Sequence, residues 1–354
     1  MRIAVLTSGG DAPGMNAAVR TIAVASRARN HEVLGVRRGY QGLLEGDVTP
    51  LDPAMVEGIT RWGGTILGSS RSAEFPKPEG QAKAKAQIQS LAIDALVAIG
   101  GNGTLTGAHV LGTQGERPCL VVGLPASIDN DIGHSGLAIG VDTAVNTIVE
   151  ACDRIADTAS AHRRAFIVEV MGRACGFLAM RAGIAAEADA ILYGESQLSE
   201  DELVERLRGV FARCFAKGSY KKRALVIKSE GVAVSTARLV ERLSEHLAVD
   251  APGVDVRETI LGHVVRGGSP SALDRLIAQR LGFGAVLASE AGAHDVMLGW
   301  DVPGGFGRET QDPSIRAVPI GEVLAETGRL LDGTSPVIRR RMAMLRQVED
   351  LLAL

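Results

Sequence analysis

Hydrophobic positions along the chain fall into two alternating patterns. Short unbroken apolar runs recur at 2-RIAVLT-7, 32-EVLGVRRG-39, 93-IDALVAIG-100, 119-CLVVGLP-125, 165-AFIVEVM-171, 189-DAILYG-194 and 223-RALVIKSEG-231. They show little polar alternation, so they predict strands covered on both faces, as in parallel sheets. Between them, 14-GMNAAVRTIAVASRAR-29, 81-QAKAKAQIQSLA-92 and 141-VDTAVNTIVEACDRIADTA-159 place apolar residues three and four apart. That spacing predicts amphipathic helices. Strand and helix in alternation predict an α/β fold of βαβ layers. The pattern changes near residue 140, where the long helix begins, and this suggests two α/β halves. A last helix is expected over 337-VIRRRMAMLRQVEDLLAL-354. Its basic start opposes the helix macrodipole. We read its arginines as a solvated face, with an acidic neighbouring surface as the alternative.

Composition narrows the picture. At 354 residues the chain is too long for one small domain. Aromatic residues make up 3%, while many of the 43 glycines sit where apolar runs end, which suggests tight backbone approaches. A formal charge of −3 argues against a general nucleic-acid binder. Cys119, Cys152, Cys175 and Cys214 lie far apart and read as small buried residues rather than a disulfide framework or zinc site. No signal-peptide layout and no bilayer-length apolar run is present, so a cytoplasmic protein is expected.

In parallel sheets ligands bind beyond the carboxyl ends of strands, so the residues following each run carry the chemistry. The first run ends in 7-TSGGDAPGMNAAVR-20, a glycine turn before a helix, whose unpaired N–H groups attract phosphate. Next, 63-GGTILGSSR-71 offers hydroxyls and a forked cation, Arg71. The turn Gly100-Gly101-Asn102-Gly103-Thr104 is neither a P-loop nor GxGxxG, and gains meaning from the two loops before it. In 123-GLPASIDNDIGHS-135, Asp129 and Asp131 flank Asn130 after the hydroxyl of Ser127. One carboxylate suits a general base and the other a metal, although such triplets also simply cap turns. Later segments add cations and polar groups: Arg163 and Arg164, then Met171-Gly172-Arg173, then Ser229-Glu230-Gly231, then Arg257, His263 and Arg266. Together they suit a phosphorylated, polyhydroxylated acceptor.

The set TSGGDAPGMNAAVR, GGTILGSSR, GGNGTLTGA, LPASIDNDI, VEVMGRACGF, SEG and LGHVVRGGSPSALDR resembles the phosphofructokinase family, in family order over about residues 3 to 275. The resemblance implies two Rossmann-like parallel-sheet sandwich domains. It implies a donor-binding domain over 1–140 with 252–302, a sugar-phosphate domain over 141–251 with 303–336, and a separate helix over 337–354. It implies phosphoryl transfer to the 1-hydroxyl of fructose 6-phosphate, with Asp129 as base, Ser127 in place of the family's usual Thr, and Asp131 beside Mg²⁺. Met171, Gly172 and Arg173 match sugar contacts, and Glu230 matches the carboxylate on sugar hydroxyls. Arg164, Arg257, His263 and Arg266 match the 6-phosphate site. In the family Arg164 and Arg257 come from a neighbouring subunit, which implies a homo-oligomer, a tetramer or dimer, with shared sites. Gly10, Arg71 and Gly101 to Thr104 match the donor side.

Diphosphate users of the family tend to carry Asp and Lys where this chain has Gly103 and Ala126. Both are small, so the resemblance implies ATP. Asn102 departs from the family's usual Asp and supplies an amide oxygen without charge, which implies weaker metal binding or a shifted metal position. At the family's regulatory site Arg20 remains, but Val24 and Pro53 stand where basic residues are common, so weak or absent phosphoenolpyruvate control is expected. Three alternatives stay open: diphosphate as donor, another acceptor such as sedoheptulose 7-phosphate or a nucleoside, and an inactive sugar-phosphate-binding subunit.

Overall fold

The computed structural model describes residues 1–113 and 119–352, with side chains through residue 348. In chain order the elements are β1 (Arg2–Ser8), α1 (Met15–Ala28), β2 (Glu32–Val36), α2 (Gly39–Glu45), β3 (Val48–Pro50), α3 (Pro78–Ser90), β4 (Ala95–Gly100), α4 (Asn102–Thr113), β5 (Leu120–Pro125) and α5 (Val141–His162). They continue with β6 (Arg164–Val170), α6 (Phe177–Ala185), β7 (Ala190–Leu192), α7 (Glu200–Cys214), β8 (Ala224–Ser229), α8 (Thr236–Asp250), β9 (Asp255–Ile260), α9 (Ala272–Glu290) and β10 (Val296–Trp300). The chain closes with β11 (Arg308–Glu309), β12 (Ile315–Pro319), α10 (Ile320–Leu331) and α11 (Pro336–Leu352). Among the described residues no helix is long and apolar enough to cross a membrane.

Two compact units result: Met1–Thr143 with Arg266–Arg329, and Ala144–Val265 with Leu330–Leu354. The first contains an eight-stranded sheet in the order β11-β12-β10-β5-β4-β1-β2-β3. Its central pairs, β10–β5, β5–β4, β4–β1 and β1–β2, are parallel. The Ile3–Leu6 and Leu96–Ile99 side chains there are fully buried, which explains their unbroken apolar runs. The margins are antiparallel, through β3 on β2 and through the β11–β12 hairpin against β10. So the larger sheet is mixed rather than purely parallel. The boundary expected at residue 302 also moves. β12 pairs along the whole of β10, from Val296↔Pro319 to Trp300↔Ile315, so residues 303–329 belong with the first unit.

The second unit has a four-stranded parallel sheet, β7-β8-β6-β9. Helices α7 and α8 cover one face with Leu207, Phe211, Leu239 and Leu243, packed against Ile167 and Val226. Ser199 and Glu202 form a reciprocal cap at the start of α7, satisfying N–H groups that the helix itself leaves open.

The C-terminal helix is less solvated than its pattern predicts. Arg339 and Arg340 are exposed, but Arg341 lies 4.6 Å over the Phe177 ring and donates to Cys175 Sγ at 3.7 Å. Burial pulls the Arg341 guanidinium below its ordinary pKa. Its contacts are an aromatic ring and a thiol, and the nearby Glu195 carboxylate favours its charge. Residues 353–354 of the expected helix lie outside the described residues.

Candidate active site

In the first unit three loops meet at the carboxyl ends of β1 and β4, and the hydrogen bonds that lace them explain why. Thr104 donates its hydroxyl to Ser8 O at 2.9 Å, tying the start of α4 to the end of β1. Thr7 Oγ1 meets Thr65 Oγ1 at 2.8 Å and donates to Gly68 O at 2.9 Å. Asn16, buried in α1, donates to Trp62 O and Gly63 O and accepts from the Ile66 N–H at 2.8 Å. Ser69 Oγ then donates to Gly9 O at 2.5 Å. Gly10, Arg71 and Gly101 to Thr104 are thus on adjacent, mutually bonded loops. Arg71 is exposed. The first turn of α4 begins at Asn102, so the N–H groups of Asn102 and Gly103 lead a helix N-terminus, where partial positive charge favours phosphate. A Cβ on Gly103 would meet nothing within 4 Å.

Gly10 lies against the Arg266 guanidinium. Arg266 donates to Asp11 O at 3.3 Å, and its Nη1 would lie 2.7 Å from a Cβ on Gly10. Arg266, expected at the acceptor phosphate, therefore rests on the donor-side loop.

The carboxylate loop follows β5 and is bonded to the donor loop. Ala126 N–H donates to Gly100 O at 3.0 Å. Asp129 is 5% exposed, and Asp131 is half-buried. Ser127 Oγ donates to Asp131 Oδ1 at 2.8 Å. Asn130, with φ +50°, donates its amide to Gly136 O at 3.0 Å and accepts from the Ala138 N–H at 3.0 Å. The residue between the two carboxylates thus fastens the loop across its base. Among the described residues no cluster of three or more His, Cys, Asp or Glu side chains could cage a metal. Two carboxylates on one loop and one amide oxygen suit a cation held mainly by donor phosphates and water, as Mg²⁺ usually is.

In the second unit the turns after β6 and β8 form one assembly. Glu230 Oε1 accepts from the Arg173 N–H at 2.8 Å and from the Gly172 N–H at 3.2 Å. The Glu230 N–H in turn donates to Val170 O at 2.9 Å. Gly172 at φ +146° and Arg173 at φ +36° make the turn that points these N–H groups at Glu230. Beneath lies a feature the sequence pattern hides. Lys228 is 1% exposed and donates to Glu169 Oε2 at 2.9 Å. Thr236 Oγ1 bonds to the same oxygen. Burial pushes the Glu169 carboxyl upward, but the Thr236 hydroxyl and Lys228 ammonium outweigh it and hold it below the usual range.

Arg164 and Arg257 come together elsewhere, sharing Asp255 at 3.6 and 2.6 Å. Arg164 opens β6 and Met171 follows its other end, roughly 20 Å away at about 3.3 Å per residue. Within one chain this pair does not join Gly172, Arg173 and Glu230. His263 is exposed in a short 3₁₀ turn over Gly262–Arg266.

Comparison with known proteins decides the family. A phosphofructokinase family profile matches residues 2–289. The chain belongs to the phosphofructokinase family. It is 48% identical over 302 residues to an ATP-dependent 6-phosphofructokinase of Thermotoga neapolitana, covering 84% of this chain and 89% of that protein. It is 46% identical over 299 residues to ATP-dependent 6-phosphofructokinase 1 of Thermus thermophilus, with the same coverage. Among solved structures, a Saccharomyces cerevisiae phosphofructokinase superposes with a TM-score of 0.83 at 34% identity over 97% of this chain. This chain spans about half, 48%, of that larger yeast chain.

Other features of this phosphofructokinase-family chain lie outside the site. A cavity of about 1280 Å³ opens in the first unit between α9 and the β11–β12 hairpin, lined by Phe283, Leu287, Leu298 and Arg308, and none of the expected site residues lines it. All four cysteines are buried and in no disulfide, and burial pushes the thiols of Cys119, Cys152 and Cys214 up to about 12. On α1, Arg20 lies 4.0 Å from Glu57, and Val24 is exposed.

Proposed function

We propose that the chain is an ATP-dependent 6-phosphofructokinase of glycolysis, transferring the γ-phosphoryl group of ATP to the 1-hydroxyl of D-fructose 6-phosphate. The supporting observation is that the loop bearing Asp129 is bonded directly to the donor loop through Ala126 N–H and Gly100 O. Near-half identity to ATP-dependent relatives over most of the chain agrees with it. The acceptor O1–phosphorus bond forms, the bridging bond to the β-phosphate breaks, and ADP leaves. Asp129 takes the proton released from O1 and passes it to solvent. Arg71 and the first N–H groups of α4 balance charge on the phosphoryl oxygens, where positioning and electrostatics supply most of the acceleration. Ser127 orients the acceptor hydroxyl. Met171, Gly172 and Arg173 contact the sugar, and Glu230 holds its hydroxyls through the carboxylate oxygen not used by the turn. When bound, a divalent cation, taken to be Mg²⁺, neutralises the donor phosphates, and Asp131 and the Asn102 amide oxygen are the residues that would hold it.

Arg164, Arg257 and His263 are assigned to the 6-phosphate, with Arg266. The distance of Arg164 from the Gly172 turn along β6 supports a site completed by a second copy, hence a homo-oligomer. A cytoplasmic location goes with these substrates. The test is a donor-by-acceptor activity matrix with ATP, diphosphate, fructose 6-phosphate and sedoheptulose 7-phosphate, run on the native protein and Asp129→Asn. Turnover with ATP and fructose 6-phosphate should fall by about 10²–10⁴-fold in the variant, with sugar-phosphate binding retained. Native turnover only with diphosphate, or none at all, refutes the proposal.

A further inference from the structure

The segment 303-PGGFGRETQD-312 has no part in the reading above, yet it touches the loop that matters most. The loop from Ser127 to Ala138 is held between two walls of the first unit. Gly136 N–H donates to Trp300 O, and Gly133 N–H donates to Thr327 Oγ1, both at 2.8 Å. The fit leaves no room for side chains. A Cβ on Gly136 would lie 2.4 Å from Asp301 O, and one on Gly133 2.6 Å from Val323 O. Between these two glycines stands His134, in the left-handed region at φ +53°. Its imidazole stacks on the Phe306 ring, centroids 4.2 Å apart and planes 18° apart.

The segment that carries Phe306 is anchored at its far end. Arg280 of α9 donates through Nε to Asp312 Oδ2 at 2.6 Å, bonds Asp312 Oδ1 as well, and reaches Ser314 Oγ at 3.2 Å. The same guanidinium lies 4.5 Å over the Trp300 ring, at the point where β10 gives way to the segment. A guanidinium forked onto a carboxylate along one edge and laid on a ring by one face leaves its partners little freedom. Phe306 is 43% exposed, an unusual placement for a phenyl ring whose only task is to fill a core.

We infer that Phe306 is a positioning residue for the phosphoryl-transfer reaction: by stacking on His134 it fixes the loop that bears Asp129 and Asp131. The effect on turnover rests on the function proposed above. The effect on the loop does not. Sub-ångström placement of a base governs rate more than affinity, so the loss should appear in kcat rather than in KM.

The experiment compares Phe306→Ala, Phe306→Leu, Phe306→Trp and His134→Ala with the native protein. In Phe306→Ala, kcat with ATP and fructose 6-phosphate falls about 10-fold to 100-fold, and both KM values stay within about twofold. Phe306→Leu keeps apolar bulk but no ring plane and loses kcat likewise, which covers the case where the alanine variant folds poorly. Phe306→Trp restores stacking and keeps most of the native kcat. Adding His134→Ala to Phe306→Ala causes little further loss, because both remove one contact. Amide hydrogen exchange over residues 131–138 quickens in Phe306→Ala while the central strands stay protected. Unchanged kcat, a loss that Phe306→Trp does not rescue, additive losses, or unchanged exchange each overturn the inference. If the native protein shows no turnover, the functional proposal fails by itself, and the exchange measurement still decides whether Phe306 holds the loop.

Discussion

Replacing Lys228 with Met tests how much the second unit depends on one buried charge. Lys228 and Glu169 face each other across neighbouring strands, paired in register, with 1% and 19% of their side chains exposed. Removing one partner of a buried ion pair costs about 3–5 kcal/mol, because the remaining charge is left without compensation. Here Glu169 keeps Thr236 and some solvent, so the lower end applies, about 3 kcal/mol. For a unit of this size that corresponds to roughly 6–12 °C in Tm, at about 2–4 °C per kcal/mol. The sign of the pH dependence follows from the depressed carboxyl. In the native protein its contribution is present above the unfolded carboxylate pKa and is lost as pH falls through the lower folded value. Without the ammonium, burial raises the carboxyl instead, so the deficit of Lys228→Met widens as pH rises from acid towards neutral. Differential scanning calorimetry of Lys228→Met, Glu169→Gln and the double variant across that range provides the measurement. The double variant removes both charges and should recover most of the loss. Since β6 and β8 lead directly into the Gly172–Arg173 and Glu230 turns, KM for fructose 6-phosphate should rise while KM for ATP holds. A single variant melting with the native protein, or a double variant as unstable as the single, refutes the reasoning.

Three further expectations can be checked quickly. Glu290 is held at a pKa of about 2, first by its hydrogen bond from Arg29 and then by His31, so its stabilising contribution is present above pH about 4.5 and fades towards pH 2; acid unfolding of Glu290→Gln should lack that component. Asn102→Asp adds a carboxylate to the donor loop and should lower the divalent-cation concentration needed for half-maximal activity, and an unaltered metal requirement and rate would show that this position does not touch the metal. Phosphoenolpyruvate should inhibit weakly or not at all, because exposed Val24 offers no charge beside Arg20; a steep dose-response curve would overturn this.

The central sheet was legible because burial on both faces leaves strands almost purely apolar. The runs at 2–7, 93–100 and 119–125 became β1, β4 and β5. Where burial is one-sided the pattern fades. β9 is an edge strand with Arg257, Glu258 and Ile260 exposed, so it reads as a polar segment. The run at 32–39 is really β2 ended at Val36, followed by Arg38 at φ +57° and the short helix α2, whose two glycines mute any helical signal. Long-range pairing is invisible to local patterns, and so the sequence could not place β12 beside β10. Candidate site residues stood out where glycine, hydroxyl and charge follow a strand. The groups that fasten them were not. Lys228 sits inside an apolar run, Asn130 looks like a turn former, and Phe306 lies far along the chain from the loop it touches.

The first unit is built from two stretches of chain separated by Ala144–Val265. On a ribosome its N-terminal stretch emerges with β5 as the last strand of a half-made sheet, since β10, the neighbour on that side, starts only at Val296. At about 5–20 residues per second the flank of β5 stays unpaired for roughly 10–30 s of synthesis. An unpaired apolar strand edge is a template for association with other chains. Yield in a cell therefore depends on how that edge is shielded during translation, and slowing translation between Thr143 and Val296 should cost soluble protein more than slowing it after Pro319.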